Sequence, residues 1–276
     1  MNVAVVGLGL IGGSFALAAR RAGHCVWGMD PRVSAEEAGF GTLKLPDDLA
    51  EIDLVLLAVP PAAVVPWVEA QADHFKDGAL VVDATGVKGT ICAALRKFAY
   101  QDRWTFIGGH PMAGREVSGF ANATPDLFAG ASMILTPYPS CGRRPLERLD
   151  AFFRGLGFAR VVTTTPEHHD EMIALTSQLA HVVSSAYIRD DLAREHAGYS
   201  AGSFHDMTRV ARLDPAIWTD LFFANREALL KRLEGLQDRL GEYHDALAKR
   251  DAAQMKALLT AGRAARLRAS GELPES

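Results

Sequence analysis

Cysteine is scarce in this chain. Cys25, Cys92 and Cys141 are the three among 276 residues, and they are too widely separated for a disulfide framework or a metal-ligand pair, so a reducing compartment is expected. No apolar run approaches the roughly 18–20 residues of a membrane span. The apolar N-terminus carries neither a basic leader nor a cleavage site, and its glycines belong to a motif, so it is read as neither a signal peptide nor an anchor. Positive charge is not in excess: 29 Lys and Arg face 33 Asp and Glu, a net charge of −4, which leaves no electrostatic footprint for nucleic acid. Internal repeats and low-complexity segments are also missing. What remains is an ordinary globular composition, 49% hydrophobic and 22% charged, long enough for one large domain or two ordinary ones. A soluble cytoplasmic protein that binds no nucleic acid and no membrane is the expectation.

The N-terminal half alternates strand and helix signals. Asn2–Val6 is a run of β-formers leading into GLGLIGGS, with Gly7, Gly9 and Gly12 in the pattern G-x-G-x-x-G. Gly7 permits a tight turn, Gly9 lets the backbone approach a pyrophosphate, and Gly12 lets helix and strand pack closely. Leu10 and Ile11 stand at the helix start, whose free N–H groups and partial positive charge suit phosphate. A second strand, Cys25–Met29, ends at Asp30, placed to accept a ribose 2′-hydroxyl and repel a 2′-phosphate. NAD is therefore expected over NADP, although Arg32 nearby would suit a phosphate. Leu54–Val59 is an apolar run typical of a strand buried on both faces, closed by Pro60 and Pro61 where such folds line the cofactor. Further strands are predicted around 80–83, 106–107, 133–135 and 161–162, with helices at 62–74, 89–99 and 145–155 between them. This alternation predicts an α/β Rossmann-type doubly wound sheet over residues 1–163.

After Val162 the pattern changes. Thr165 followed by Pro166, and Asp214 followed by Pro215, are helix-start signals. Leu229, Leu230, Leu233, Leu236 and Leu240 repeat at helical spacing in a run expected to extend from Leu221 to Leu247. Residues 164–276 are therefore expected to form an all-α domain. It ends near Arg268, with no room in this sequence for an appended regulatory domain.

The chemistry centres on Gly108-Gly109-His110-Pro111-Met112-Ala113-Gly114. Here a histidine between two glycine turns is expected on a flexible loop beyond a short strand. Its ordinary pKa of about 6.5 suits a general base. Arg115, directly after the turn, offers a cation at the mouth of a pocket. Gln178 and His181, three apart, share a helix face and read either as pocket residues or as a polar pair in a helix interface. Arg209 reads either as a carboxylate ligand or as a surface partner of Asp206. His168-His169-Asp170 reads as a solvated helix start rather than a metal site, and Lys88 as a helix start or a neighbour of the cofactor.

Taken in order, GLGLIGGS at 7–14, VVDATGVKG at 81–89, GGHPMAGRE at 108–116, LFAGASMILTP at 127–137, LTSQLAHVVSSA at 175–186 and SFHDMTRVARLDPAIWTDLF at 203–222 resemble the prephenate/arogenate dehydrogenase family of tyrosine biosynthesis over nearly the whole chain. The resemblance implies NAD(P)-dependent oxidative decarboxylation of a cyclohexadienol, prephenate or arogenate, and a homodimer formed through the helical domain. It implies that His110 is the base for the ring hydroxyl, Arg209 a substrate-carboxylate ligand, His181 a pocket residue and Glu116 an acid beside the catalytic loop. Two positions depart from the pattern. Gly86, with Thr85 beside it, stands where many members carry a serine, and Gln178 stands where many prephenate-using members carry a histidine. Both lie at the substrate end. Among other reductases of similar build, β-hydroxyacid dehydrogenases depend on a lysine in the first long helix of the second domain, and the stretch 167–187 has none. A nucleotide-binding sensor without turnover would not need the polar set at 110, 178, 181 and 209.

Overall fold

The computed structural model describes residues 1–115 and 117–273. Met1–Asn225 form one compact unit and Arg226–Ser276 a second. The first unit is built on an eight-stranded sheet: β1 (Asn2–Val6), β2 (Cys25–Met29), β3 (Gly41–Thr42), β4 (Leu54–Leu57), β5 (Ala79–Asp83), β6 (Trp104–Pro111), β7 (Ser132–Pro137) and β8 (Arg160–Thr163). Their order across the sheet is β3-β2-β1-β4-β5-β6-β7-β8. All neighbours are parallel except β6 and β7. The chain runs outward from β1 to β3 and then returns to place β4 on the other side of β1. That reversal opens a crevice beyond the C-terminal ends of β1 and β4, the usual ligand position in such sheets.

Helices α1 (Leu10–Arg21), α2 (Pro61–Gln71), α3 (Gly89–Ala94) and α4 (Arg143–Gly155) follow strands of this sheet. Alternation along the central strands separates two cores. Val3, Val5, Leu54, Leu56, Leu80 and Val82 pack with Phe15, Phe128 and Phe153. Ala4, Val6, Val55, Leu57, Ala79 and Val81 pack with Val64, Val68, Phe75 and Trp104. Every residue of β4 and β5 is buried, which explains their continuous apolar sequence.

Beyond β8 the chain is helical, as expected: α5 (Pro166–Ile173), α6 (Leu179–Tyr187), α7 (Gly202–Thr208) and α8 (Pro215–Ala224) complete the first unit. The Thr165 side chain caps α5 by accepting from the His168 N–H, and Asp214 caps α8 by accepting from Ala216 and Ile217. A π-helical turn, Ala174–Gln178, joins α5 to α6. The helix expected to run from Leu221 to Leu247 is broken at Asn225, whose backbone leaves the helical region (φ −117°, ψ 30°). Asn225 is buried and its side-chain amide is hydrogen-bonded. The second unit is a pair of packed helices, α9 (Arg226–Ala248) and α10 (Ala252–Ala269), with Asp251 capping α10 through the Gln254 N–H.

Candidate active site

The glycine motif builds a cradle at the sheet crevice. Gly7 has φ +88°, and a Cβ there would stand 2.4 Å from the Ala58 carbonyl oxygen. A Cβ on Gly12 would stand 1.8 Å from the Gly7 oxygen, so only glycine lets α1 pack this close to the β1 turn. Gly9 has open space on the side where a Cβ would point. It precedes Leu10 at the N-terminus of α1, where no side chain caps the helix. Beside β4, Val59 is half-buried and Pro60 exposed at the start of α2. These features fit a dinucleotide pyrophosphate. Asp30 lies at the end of β2, where one carboxylate oxygen accepts from the Leu8 N–H (2.8 Å) and the other from Arg32 (2.7 Å) and Val33 (3.1 Å). The Arg32 side chain is exposed. A cavity beside Asp30 is lined by Val33, Ser34, Glu36 and Thr42, so a second carboxylate faces the same space.

His110 does not sit on a flexible loop. It lies within β6, paired with Ile134 of β7. The preceding glycines are close-packing residues of the strand rather than turn residues. A Cβ on Gly108 would stand 2.3 Å from Thr136 Oγ1 and 2.9 Å from Cys92 Sγ, and one on Gly109 2.5 Å from the Asp83 carbonyl oxygen. They let β6 settle onto a buried polar cluster. Lys88, fully buried, forms an ion pair with Asp83 and donates to Thr85 Oγ1 at 3.0 Å. Asp83 also accepts from the Thr85 N–H (3.0 Å), the Thr85 hydroxyl (2.6 Å) and the Gly109 N–H (3.1 Å). The Thr85 hydroxyl is thus engaged within this cluster, and it does not take the place of the serine many family members carry at the next position. A Cβ on Gly86 would stand 3.9 Å from both Cε1 and Nε2 of His110 and 3.5 Å from Leu221. Glycine there sets no side chain of its own against the Nε2 edge of the imidazole.

The other edge of His110 is occupied. Its Nδ1 is 2.9 Å from Nε2 of His169, whose Nδ1 is 2.7 Å from Asp170 Oδ1. Asp170 in turn accepts from the Lys88 N–H (2.9 Å) and the Gly89 N–H (2.8 Å). His169 and Asp170 are buried, which corrects the expectation of a solvated helix end; His168 alone is exposed. Burial, followed by the neighbouring His169 and Lys88, holds His110 well below its ordinary value of 6.5. The imidazole is therefore neutral at physiological pH. A sequence signal for the missed pair exists: His169 and Asp170 precede Ile173 by four and three residues, which puts them on the inward face of α5.

Gln178 ends the π-helical turn. It is buried, donates to the Leu221 carbonyl (3.2 Å) and accepts from Asn225 (2.7 Å), while Asn225 also donates to the Asp170 carbonyl (2.9 Å). Both ends of its amide are used in tying the π-helical turn to Leu221 and Asn225, as in the polar helix-interface alternative. His181 lies one turn on, its ring 4.0 Å from that of Trp218 and its Nδ1 2.8 Å from the Ser177 carbonyl. Arg209 is exposed on a 3-10 turn, Arg209–Ala211, that packs against α6. Arg115 is exposed beyond β6. Glu116 lies outside the described residues.

Comparisons with known proteins agree with this geometry. Residues 15–163 match the family described as "Prephenate dehydrogenase, nucleotide-binding domain", and residues 165–261 the one described as "Prephenate dehydrogenase, dimerization domain". A prephenate dehydrogenase of Lactococcus lactis is 31% identical over 264 residues, 91% of this chain and 72% of the relative. The crystal structure of Synechocystis arogenate dehydrogenase superposes with a TM-score of 0.84 at 28% identity, covering 97% of this chain and 99% of that one. Prephenate dehydrogenase from A. aeolicus, in complex with hydroxyphenyl propionate and NAD+, superposes with a TM-score of 0.83 at 28% identity, covering 97% and 98%. A glycine cradle at the sheet's reversal, a neutral histidine on β6 and these matches along both halves show that the chain belongs to the prephenate dehydrogenase family.

Proposed function

We propose that the protein catalyses NAD-dependent oxidative decarboxylation of prephenate to 4-hydroxyphenylpyruvate, the reaction that feeds tyrosine synthesis. The observation that carries the reading is the half-buried, neutral His110 at the C-terminal edge of the sheet, where Gly86 sets no side chain against its Nε2 edge. NAD supplies the acceptor for the hydride that leaves C4 of the substrate ring. His110 accepts the C4-hydroxyl proton as the hydride departs. The C1–carboxylate bond then breaks, its electron pair enters the ring, and carbon dioxide leaves. His110 returns the proton to the phenolic oxygen, so the base is restored at the end of the cycle. General-base assistance of this kind contributes on the order of 10²–10⁴-fold.

Arg209, with its planar guanidinium, is assigned to a substrate carboxylate, and Arg115 and His181 to the pocket around it. Asp30, with Glu36 in the same cavity, supports NAD over NADP, because a 2′-phosphate would meet two carboxylates. The protein is placed in the cytoplasm as a homodimer formed through residues 164–276, with residues 1–163 as the nucleotide-binding domain. Its three free cysteines suit that compartment.

The test is NADH formation at 340 nm with purified protein, NAD and either prephenate or arogenate. Turnover of prephenate is expected. Turnover of arogenate alone would move the assignment to that substrate, and turnover of neither, with NAD bound, would overturn the dehydrogenase reading.

A further inference from the structure

A neutral histidine can act as a base only through the nitrogen that carries no proton, and nothing in an isolated imidazole chooses between its two nitrogens. The surroundings of His110 make that choice. A carboxylate offers only acceptors, and both oxygens of Asp170 receive backbone N–H groups, from Lys88 and Gly89. His169 Nδ1, 2.7 Å from Asp170 Oδ1, must therefore be the protonated nitrogen of that ring. With the His169 ring neutral, its Nε2 is an acceptor, and His110 Nδ1, 2.9 Å away, donates to it. That leaves His110 Nε2 with a free lone pair, on the edge bordered by Gly86. The geometry holds the chain in place: the two histidine rings meet at 61°, His169 is 1% exposed, and Asp170 is held by the backbone at the start of α3.

We propose that His169 and Asp170 are positioning residues that lock His110 in the Nδ1–H tautomer and so aim its basic Nε2 at the substrate hydroxyl. The inference rests on the reading of His110 as the base. When Nε2 takes the hydroxyl proton, the Nδ1 proton is shared toward His169, and the resulting cation faces the Asp170 carboxylate through one intervening ring. When the proton is returned to the phenolic oxygen, the chain reverts to its starting state. No co-reactant is needed. The same logic, a base oriented by a third group, underlies nucleophile–base–acid triads, where changing the orienting acid to its amide costs activity through the wrong tautomer.

The experiment is nitrogen NMR of the full chain labelled at histidine, with the His110 signals identified by their loss in His110→Gln. In the unmodified protein above pH 7, His110 is expected to show a protonated Nδ1 and a bare Nε2. A protonated Nε2 there would overturn the proposal without reference to any variant. In His169→Phe and Asp170→Asn the single tautomer is expected to give way to a mixture. kcat should fall on the order of 10²-fold, with KM and NAD binding changed by no more than about three-fold. Adding either change to His110→Gln should cost little more, since the residues act as one unit. Retention of the bare Nε2 in both variants, or a kcat near the unmodified value, would show a purely structural role. Should the protein turn over neither prephenate nor arogenate, the dehydrogenase reading fails on its own, and the NMR comparison still decides whether the chain fixes the tautomer.

Discussion

At the scale of single residues, the decisive feature is a histidine whose surroundings oppose its charged form. Burial is the largest cause, and His169 and Lys88 add to it. The sign follows directly. The folded-state value lies below 6.5, so His110 is already neutral at pH 6.5, where an exposed histidine would be half protonated. With prephenate and NAD, kcat is expected to be flat from about pH 6.5 upward as far as this group is concerned, with its acid limb displaced below 6.5. The same shift contributes to stability in the same direction. The unfolded chain binds the proton more readily, so stability is lost as pH falls from about 6.5 toward the folded value. Replacing His110 by Asn should remove that acid limb and lower kcat roughly 10²–10⁴-fold while leaving NAD affinity nearly unchanged. A pH–rate profile of the unmodified protein with a half-point near 6.5 would contradict the neutral state of His110.

At the scale of elements, the strand β6 shows both how much was legible in sequence and where legibility stopped. Periodicity and continuous apolar runs located the central strands, and the Thr-Pro and Asp-Pro pairs located the starts of α5 and α8. The glycine spacing located the dinucleotide cradle. The identity of His110 was legible, but its setting was not. Adjacent glycines read locally as a turn, whereas here they are extended residues chosen for lack of a Cβ. That requirement comes from Asp83, Thr136 and Cys92, on other elements, and no local pattern carries it. The His169–Asp170 pair was likewise read as solvated because polar residues usually are, and only the Ile173 face argued otherwise. Asn225 interrupts an apolar run by satisfying buried groups on α5 and the π-helical turn, a tertiary demand that overrides helix periodicity. Gly108→Ala tests the packing account. Its Cβ would meet Thr136 Oγ1 at 2.3 Å and Cys92 Sγ at 2.9 Å, both on rigid elements. Overpacking of this kind costs about 1–3 kcal/mol, read as a lowered midpoint in urea with an unchanged slope. A variant as stable as the unmodified chain would mean that β6 can lift from the Asp83–Lys88 cluster without penalty.

At the scale of the whole molecule, the two-helix unit from Arg226 onward poses a problem of stability that a single chain does not solve. Of its described residues only Leu229 and Ala246 are buried, while Leu240 is 57% exposed, Leu247 68% and Leu259 59%. A helical hairpin of this size has too little buried apolar surface to offset its conformational entropy. Leu240 and Leu247 are seven residues apart, hence on one face of α9, and that face is left open. We propose the same surface of a second copy as its occupant, since residues 165–261 match a dimerization domain. Sedimentation equilibrium is expected to give twice the 29.7 kDa chain mass at micromolar concentration. Leu240→Glu combined with Leu247→Glu would place charges on that apolar face, where each carboxylate would be desolvated without a partner. The variant should sediment nearer the chain mass and lose thermal stability in a concentration-dependent way, because dimer and fold are linked by mass action. A variant that stays dimeric would move the interface to another face of the helical domain. An unmodified protein that is monomeric at every concentration would leave the exposed leucines unexplained and remove the homodimer from the proposal.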